Sequence, residues 1–344
     1  MTTVAPAGET AATPRSADMA VVTRGLTKRY GSRLAVDRLS LNVPRGQVYG
    51  FLGPNGSGKT TTLRMLVGLI RPNAGDIEVL GQPWSWHDRR RMFRIGAMIE
   101  TPAFYPYLSG RDNLRVFAAT GAPTPIHRVD EVLEAVGLTD RGSDKVRTYS
   151  MGMRQRLGIA VALVSDPDLL LLDEPANGLD PAGIVAMREL LRFLTDRGKT
   201  VLVSSHILPE VQQLADIVGI IDRGRLVREG PLAELLAGGA QVRMLVRPDE
   251  VPRALGILGA VGAPLEPAPT DGPQAGWITV RVSSDQASRC NRMLAEQGIY
   301  ASAIDATSDL ESVFLSLTAG VGMDIDGATQ PGPPSGWGEP EMRR

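Results

Sequence analysis

The stretch of this chain richest in chemistry is Gly53-Pro54-Asn55-Gly56-Ser57-Gly58-Lys59-Thr60, which fits the phosphate-loop pattern G-x-x-x-x-G-K-[ST]. Its glycines let the backbone bend until successive N–H groups face phosphate oxygens, and the helix that follows adds its positive end. Lys59 is expected to reach the β- and γ-phosphates, with the hydroxyl of Thr60 on a magnesium ion and Thr61 beside it. The run Leu169-Leu170-Leu171-Leu172-Asp173-Glu174 is the matching acidic strand end. Asp173 is expected beside the metal, and Glu174 is a candidate general base for an attacking water. An apolar strand with an acidic end is as often structural as functional; the phosphate loop upstream is what favours the functional reading.

A third stretch, Tyr149-Ser150-Met151-Gly152-Met153-Arg154-Gln155-Arg156, precedes the apolar run Leu157 to Val164. A serine and a glycine at a helix start make a second phosphate cap, although Ser150 would also serve as a plain N-cap. This stretch resembles the signature of the ABC ATPase family, usually Leu-Ser-Gly-Gly-Gln. The resemblance implies that Ser150 and Gly152 reach the γ-phosphate bound to a second copy, so that a homodimer sandwiches two ATPs head to tail. It also implies that Tyr30 stacks on adenine and that Asn177-Gly178-Leu179-Asp180 lies across the dimer interface, with Asp180 near the nucleotide. His206, after Ser204-Ser205, takes the place of the family's switch histidine and orients water at the γ-phosphate. His87 and His127 have no such context and read as surface residues.

One position departs from the family. Its glutamine after the strand Arg94 to Ile99 is Glu100 here. A carboxylate still suits a hard cation, so Glu100 is expected to keep a metal or water contact while altering the hydrolysis rate. Glu100, the Met151-Gly152-Met153-Arg154 form of the signature and Asn177 together resemble the bacitracin-resistance and lantibiotic-immunity branch. That resemblance implies export of drugs or antimicrobial peptides through a separate ABC-2 type permease, with ATP and Mg²⁺ as cofactors. Phe104, Tyr105 and Tyr107, next to Pro102 and Pro106, offer an aromatic loop for that permease, unless they pack inside. Trp84, Trp86, Arg89, Arg90, Arg91 and Arg94 form a basic, aromatic cluster, more simply read as a solvated face.

The elements that must hold these residues are those of an α/β chain. Apolar strands alternate with helices from about 20 to 237, the pattern of a largely parallel sheet. The resemblance adds an antiparallel β subdomain and a helical subdomain carrying the signature. Residues 240 to 320 read as a small α+β accessory domain of three strand–helix pairs, with helices near 251–260, 286–297 and 308–318. Residues 1 to 19 and 321 to 344 read as disordered tails.

At 344 residues, with 43% hydrophobic and 22% charged residues, the chain can bury a large core. Its net charge of −1 argues against a nucleic-acid binder. The lone Cys290 points to a reducing compartment, and no apolar run nears the roughly 20 residues of a membrane span. The expected location is the cytoplasmic face of the membrane, held there by the permease. An ABC ATPase acting on ribosomes or DNA is the alternative, against which stand the single nucleotide unit and the absence of a heptad run. A kinase or GTPase would lack the signature, and a non-hydrolysing subunit would not need Glu174 and His206.

Overall fold

A computed structural model of the chain describes residues 18–85, 92–100, 103–120, 125, 127–239, 241–261, 265–267, 275–307 and 310–319. Trp86, His87, Arg89, Arg90, Arg91 and Pro102, and nearly all of the two terminal tails, lie outside these residues. The first strand begins at Met19, the last residue of the expected N-terminal tail.

The first elements are Met19–Tyr30 (β1), Arg33–Leu39 (β2), Asn42–Pro44 (β3), Val48–Leu52 (β4) and the helix Lys59–Leu66 (α1). Ala74–Val79 (β5), Gln82–Pro83 (β6) and Ile95–Met98 (β7) follow. Then come the helices Gly110–Thr120 (α2), His127–Ala135 (α3) and Met151–Leu163 (α4). Leu169–Asp173 (β8), Pro181–Asp196 (α5), Thr200–Ser205 (β9), Leu208–Gln212 (α6), Ile217–Asp222 (β10), Arg225–Pro231 (β11) and Leu232–Gly239 (α7) complete the larger part.

Its centre is a six-stranded sheet in the order β11-β10-β4-β9-β8-β7, parallel except for the β10–β11 hairpin. The strands read as unbroken apolar runs because both faces are covered. Leu170 and Leu172 face one core with helices α2 to α5, while Leu169 and Leu171 face the opposite core with α1 and the N-terminal strands. Each fully buried leucine contributes about 1.5–3 kcal/mol. The N-terminal strands form a second, antiparallel sheet, β2-β1-β5-β6 with β3 on β1.

Local rules fix where the site helices start. The Ser150 hydroxyl accepts the Met153 N–H at the head of α4, and the Asp180 carboxylate accepts the Gly183 N–H at the head of α5, with Pro181 next. Gly198, at φ +81°, ends the turn after α5.

The C-terminal strands and helices are Gln241–Leu245 (β12), Val251–Leu258 (α8), Leu265–Pro267 (β13), Trp277–Val280 (β14), Ala287–Glu296 (α9), Ala303–Thr307 (β15) and Leu310–Ala319 (α10). The sheet order β13-β14-β12-β15, antiparallel throughout, with α8 and α9 as crossovers, is the ferredoxin-like βαββαβ arrangement. Val242, Met244, Val246, Ile278 and Val280 meet Ala254, Leu258, Cys290 and Leu294 in a core of their own. Two features differ from the sequence expectation. Strand β13 was not foreseen, because three residues are too few to show alternation. The last helix does not join this unit: Leu310 and Val313 of α10 bury against Val211, Ala215, Leu232 and Leu235 of the larger part. The Leu310 N–H also donates to Gln212 Oε1 at 2.9 Å. An apolar helix face carries no label for the core it will fill.

Candidate nucleotide site

The site gathers where β4, β8 and β9 end. Register pairs Leu52 with Ser205 and Asp173 with Ser204, so the three strands deliver their last residues at one level of the sheet. The carboxyl ends of parallel strands are where open α/β sheets place ligands.

After β4 the chain turns through Gly53 to Gly58. A Cβ on Gly53 would lie 2.2 Å from the Ile221 carbonyl oxygen, and one on Gly58, at φ +110°, 2.6 Å from that of Ala35. Neither position has room for any other residue. Lys59 is 5% exposed, and its ammonium donates to the carbonyls of Gly53 at 2.7 Å and Pro54 at 3.3 Å. Glu174 Oε1 lies 3.4 Å from the same nitrogen. The Ser57 hydroxyl is buried without a hydrogen-bond partner among the described residues, a polar atom of the kind a phosphate oxygen would satisfy. Tyr30, Asn55, Gly56, Gly58, Lys59, Thr60, Thr61 and Glu174 line a cleft of about 390 Å³ here. Tyr30 is 46% exposed at its rim, with Lys28 Nζ 5.2 Å from the ring centre.

Asp173 is buried and accepts a hydrogen bond from the Ser204 hydroxyl. Glu174 stands at φ +49°, a strained conformation for a non-glycine residue. Its N–H is held there by the Ser204 carbonyl and hydroxyl, both at 3.1 Å. Glu174 Oε2 meets His206 Nδ1 at 2.9 Å. The carboxylate is thus gripped between an ammonium and an imidazole. Burial and the nearby Glu174 charge push the Glu210 carboxyl up, with His206 and Arg188 pulling it the other way.

Among the described residues no group of three or more His, Cys, Asp or Glu side chains could hold a metal alone. Magnesium that binds with a nucleotide takes one or two protein oxygens and completes its shell with phosphate oxygens and water. Asp173 and Thr60 are oxygen donors of the right kind at the strand end and the helix start, so the residues present fit that ion.

Other expected residues do not line this cleft. Ser150 and Gly152 head α4, with the Ser150 hydroxyl already engaged by its own helix. Gly178, at φ +76°, packs on this segment: a Cβ there would sit 2.5 Å from Met151 Cε. Asp180 caps α5, its carboxylate 2.9 Å from the Gly183 nitrogen. Glu100, two residues past β7 and also at positive φ, forms an ion pair with Arg64 of α1. His127 is exposed, 3.8 Å from Glu131. In the aromatic loop Tyr105 and Tyr107 are exposed, while Phe104 packs edge-on against Phe117 with centroids 6.3 Å apart.

Sequence reasoning missed Arg33 and Ala35, which line the cleft from β2, as well as Ser204, Gln155 and Arg64. Arg33, Ala35 and Arg64 carry no motif. Ser204 stood in plain view two residues before His206, but only strand pairing shows it beneath Asp173.

Comparison with known proteins gives a consistent picture. The family model described as ABC transporter matches residues 36–177. The chain is 41% identical over 302 residues to the bacitracin transport ATP-binding protein BcrA of Bacillus licheniformis, covering 87% of this chain and 97% of that protein. It is 42% identical over 206 residues to the lantibiotic transport ATP-binding protein SrtF of Streptococcus pyogenes, covering 60% and 88% respectively. Among solved structures it resembles CbiO1 of Clostridium perfringens, part of the ABC transporter complex CbiONQ, with a TM-score of 0.59 and 27% identity over 71% of this chain and 98% of that one.

Proposed function

This chain belongs to the ATP-binding proteins of the ABC transporter family, and on that premise we propose how its residues divide the work of binding and hydrolysing ATP. It is the ATP-binding and ATP-hydrolysing subunit of an ABC exporter. The observation that carries the residue assignment is the grip on Glu174, with Lys59 Nζ at 3.4 Å and His206 Nδ1 at 2.9 Å, beside the phosphate loop.

The loop from Gly53 to Gly58 presents backbone N–H groups to the phosphates, Ser57 adds its buried hydroxyl, and Lys59 exchanges its loop carbonyls for β- and γ-phosphate oxygens. Tyr30 offers its ring to the base at the rim. Magnesium, when bound with the nucleotide, would supply charge neutralisation, and Thr60, Asp173 and Glu100 are the oxygen donors of this chain that would hold it. Glu174 takes a proton from the attacking water as its oxygen bonds to the γ-phosphorus and the bond to the β-phosphate oxygen breaks, releasing ADP. His206 fixes the Glu174 carboxylate through Nδ1 and keeps Nε2 for the γ-phosphate. Ser150, Gly152 and Asp180, outside the cleft, serve a second copy: a head-to-tail homodimer closes each site in trans. Tyr105 and Tyr107 dock an ABC-2 type permease, which holds this subunit at the cytoplasmic face of the membrane. Among the described residues no helix is long and apolar enough to cross a membrane.

The cargo reading follows the names of the relatives, bacitracin and lantibiotic transport, and is export of an antimicrobial peptide or drug. Those relatives are transport proteins, so the reading as a ribosome- or DNA-acting ATPase is not favoured. Affinity purification from detergent-solubilised host membranes tests the assignment. A stoichiometric multi-helix membrane protein is the expected companion; ribosomal proteins or nucleic acid in its place would overturn the exporter reading and leave the ATPase chemistry standing.

A further inference from the structure

We propose that Arg64 is a positioning residue for the ATPase site, which neutralises Glu100 and fixes one of its oxygens, so that the pair acts as a charge-balanced unit beside the phosphates. The inference rests on the reading of Glu100 given above and extends it to a residue of α1 that no motif marks.

Three carboxylates converge on one end of the sheet. Met98 of β7 registers with Leu172 of β8, so the chain leaves β7 for Glu100 at the same end of the sheet where β8 delivers Asp173 and Glu174. Carboxylates gathered at one end of the sheet add negative charge where a polyphosphate would bind, and uncompensated charge there repels the ligand. The structure gives each carboxylate its own counterpart. Ser204 donates to Asp173, Lys59 and His206 flank Glu174, and Arg64 Nη2 takes Glu100 Oε1. Arg64 lies five residues along the helix that Lys59 opens, so the phosphate loop and the Glu100 segment are tied through one helix. Glu100 also holds its backbone at φ +68°, an unusual conformation for a glutamate. Both partners keep solvent contact, 34% for Arg64 and 62% for Glu100, so the pair adds little to stability and exchanges readily. Its value is in charge and aim.

The test is a double-mutant cycle on the full chain, reading ATP affinity by displacement of a fluorescent ATP analogue in EDTA, and then KM for Mg-ATP. Arg64→Gln leaves Glu100 uncompensated and is expected to weaken ATP binding by about three- to tenfold at low salt, less at high salt. Adding Glu100→Gln to that variant removes the stray charge and restores affinity to within about twofold of Glu100→Gln alone, and Arg64→Lys stays near the parent. If Arg64→Gln binds ATP like the parent, or if the double variant is as weak as Arg64→Gln, the proposal fails. The cycle is separable from the metal reading of Glu100. If Glu100→Gln alone leaves hydrolysis unchanged, the metal contact is lost as an explanation while rescue in the double variant still supports the pair.

Discussion

Lys59 is the residue on which the site turns, because its nearly buried ammonium reaches both the loop carbonyls and Glu174. Removing it takes away the charge meant for the phosphates and leaves Glu174 with one cationic neighbour fewer. Lys59→Ala is expected to lower turnover by at least about 100-fold, the scale of losing a charged transition-state contact. A steady-state phosphate-release assay with this variant, folded as judged by its circular dichroism, checks the loss, and near-normal activity would remove the phosphate loop from the mechanism. Glu174→Gln keeps the shape and removes the proposed base. That variant is expected to bind ATP and stay dimeric in excess Mg-ATP, seen as an earlier gel-filtration peak; a monomer under those conditions would count against the trans-completed site.

At the scale of elements, Gly96 of β7 decides how closely α4 can approach the sheet. A Cβ at this position would lie 2.1 Å from the Ala162 carbonyl oxygen, a backbone atom with no rotamer to yield. Gly96→Ala is therefore expected to push out α4, the helix that carries Ser150 and Gly152, at a cost of about 1–3 kcal/mol. Urea unfolding measures the cost, and ATPase activity should fall beyond what stability explains. The same region is pinned by Asp166, between α4 and β8, where Lys199 Nζ and Arg128 Nη2 each approach to 2.9 Å. Partial burial pushes the Asp166 carboxyl up, but the Lys199 hydrogen bond and the Lys199 and Arg128 charges outweigh it and hold the group below the ordinary carboxylate range. A depressed folded value stabilises the protein above the ordinary carboxylate range, and that stability is lost as pH falls through the folded value. Because the side chain is 63% exposed, the contribution is small, and Asp166→Asn should cost about 0.5 kcal/mol at pH 7. That difference from the parent should vanish in acid, which denaturant melts across pH would show; asparagine also accepts the positive φ found here.

For the whole molecule, α10 makes the C-terminal region more than an appendage. Its Leu310 and Val313 fill the core under α6 and α7, although they follow the βαββαβ unit in sequence. A chain cut after residue 239 should thus melt lower than one in which residues 241–307 are replaced by a flexible linker that keeps α10. Losing buried Leu310 alone is worth about 2–5 kcal/mol. Equal melting of the two variants would show that α10 is dispensable to the larger part. The role of the βαββαβ unit itself is a separate matter, which the linker variant opens to a dimerisation assay.

The chemistry was legible in the residue string because it is local. A phosphate loop needs its glycines, lysine and threonine at fixed spacing within eight residues, and that loop upstream lends the acidic strand end at Asp173 and Glu174 its functional reading. The caps at Ser150 and Asp180 are equally local, set by a side chain reaching three residues ahead. What spacing could not carry is whatever joins residues distant in the chain. Ser204 beneath Asp173 depends on strand register, and Arg64 on Glu100 depends on where α1 crosses the end of β7. Arg33 and Ala35 reach the cleft only because the N-terminal sheet folds over the phosphate loop. The order β13-β14-β12-β15 and the return of α10 to the larger core were likewise decided in three dimensions. Hydrophobic burial is non-directional, so an apolar face specifies that it must be covered and leaves to the tertiary fold what covers it.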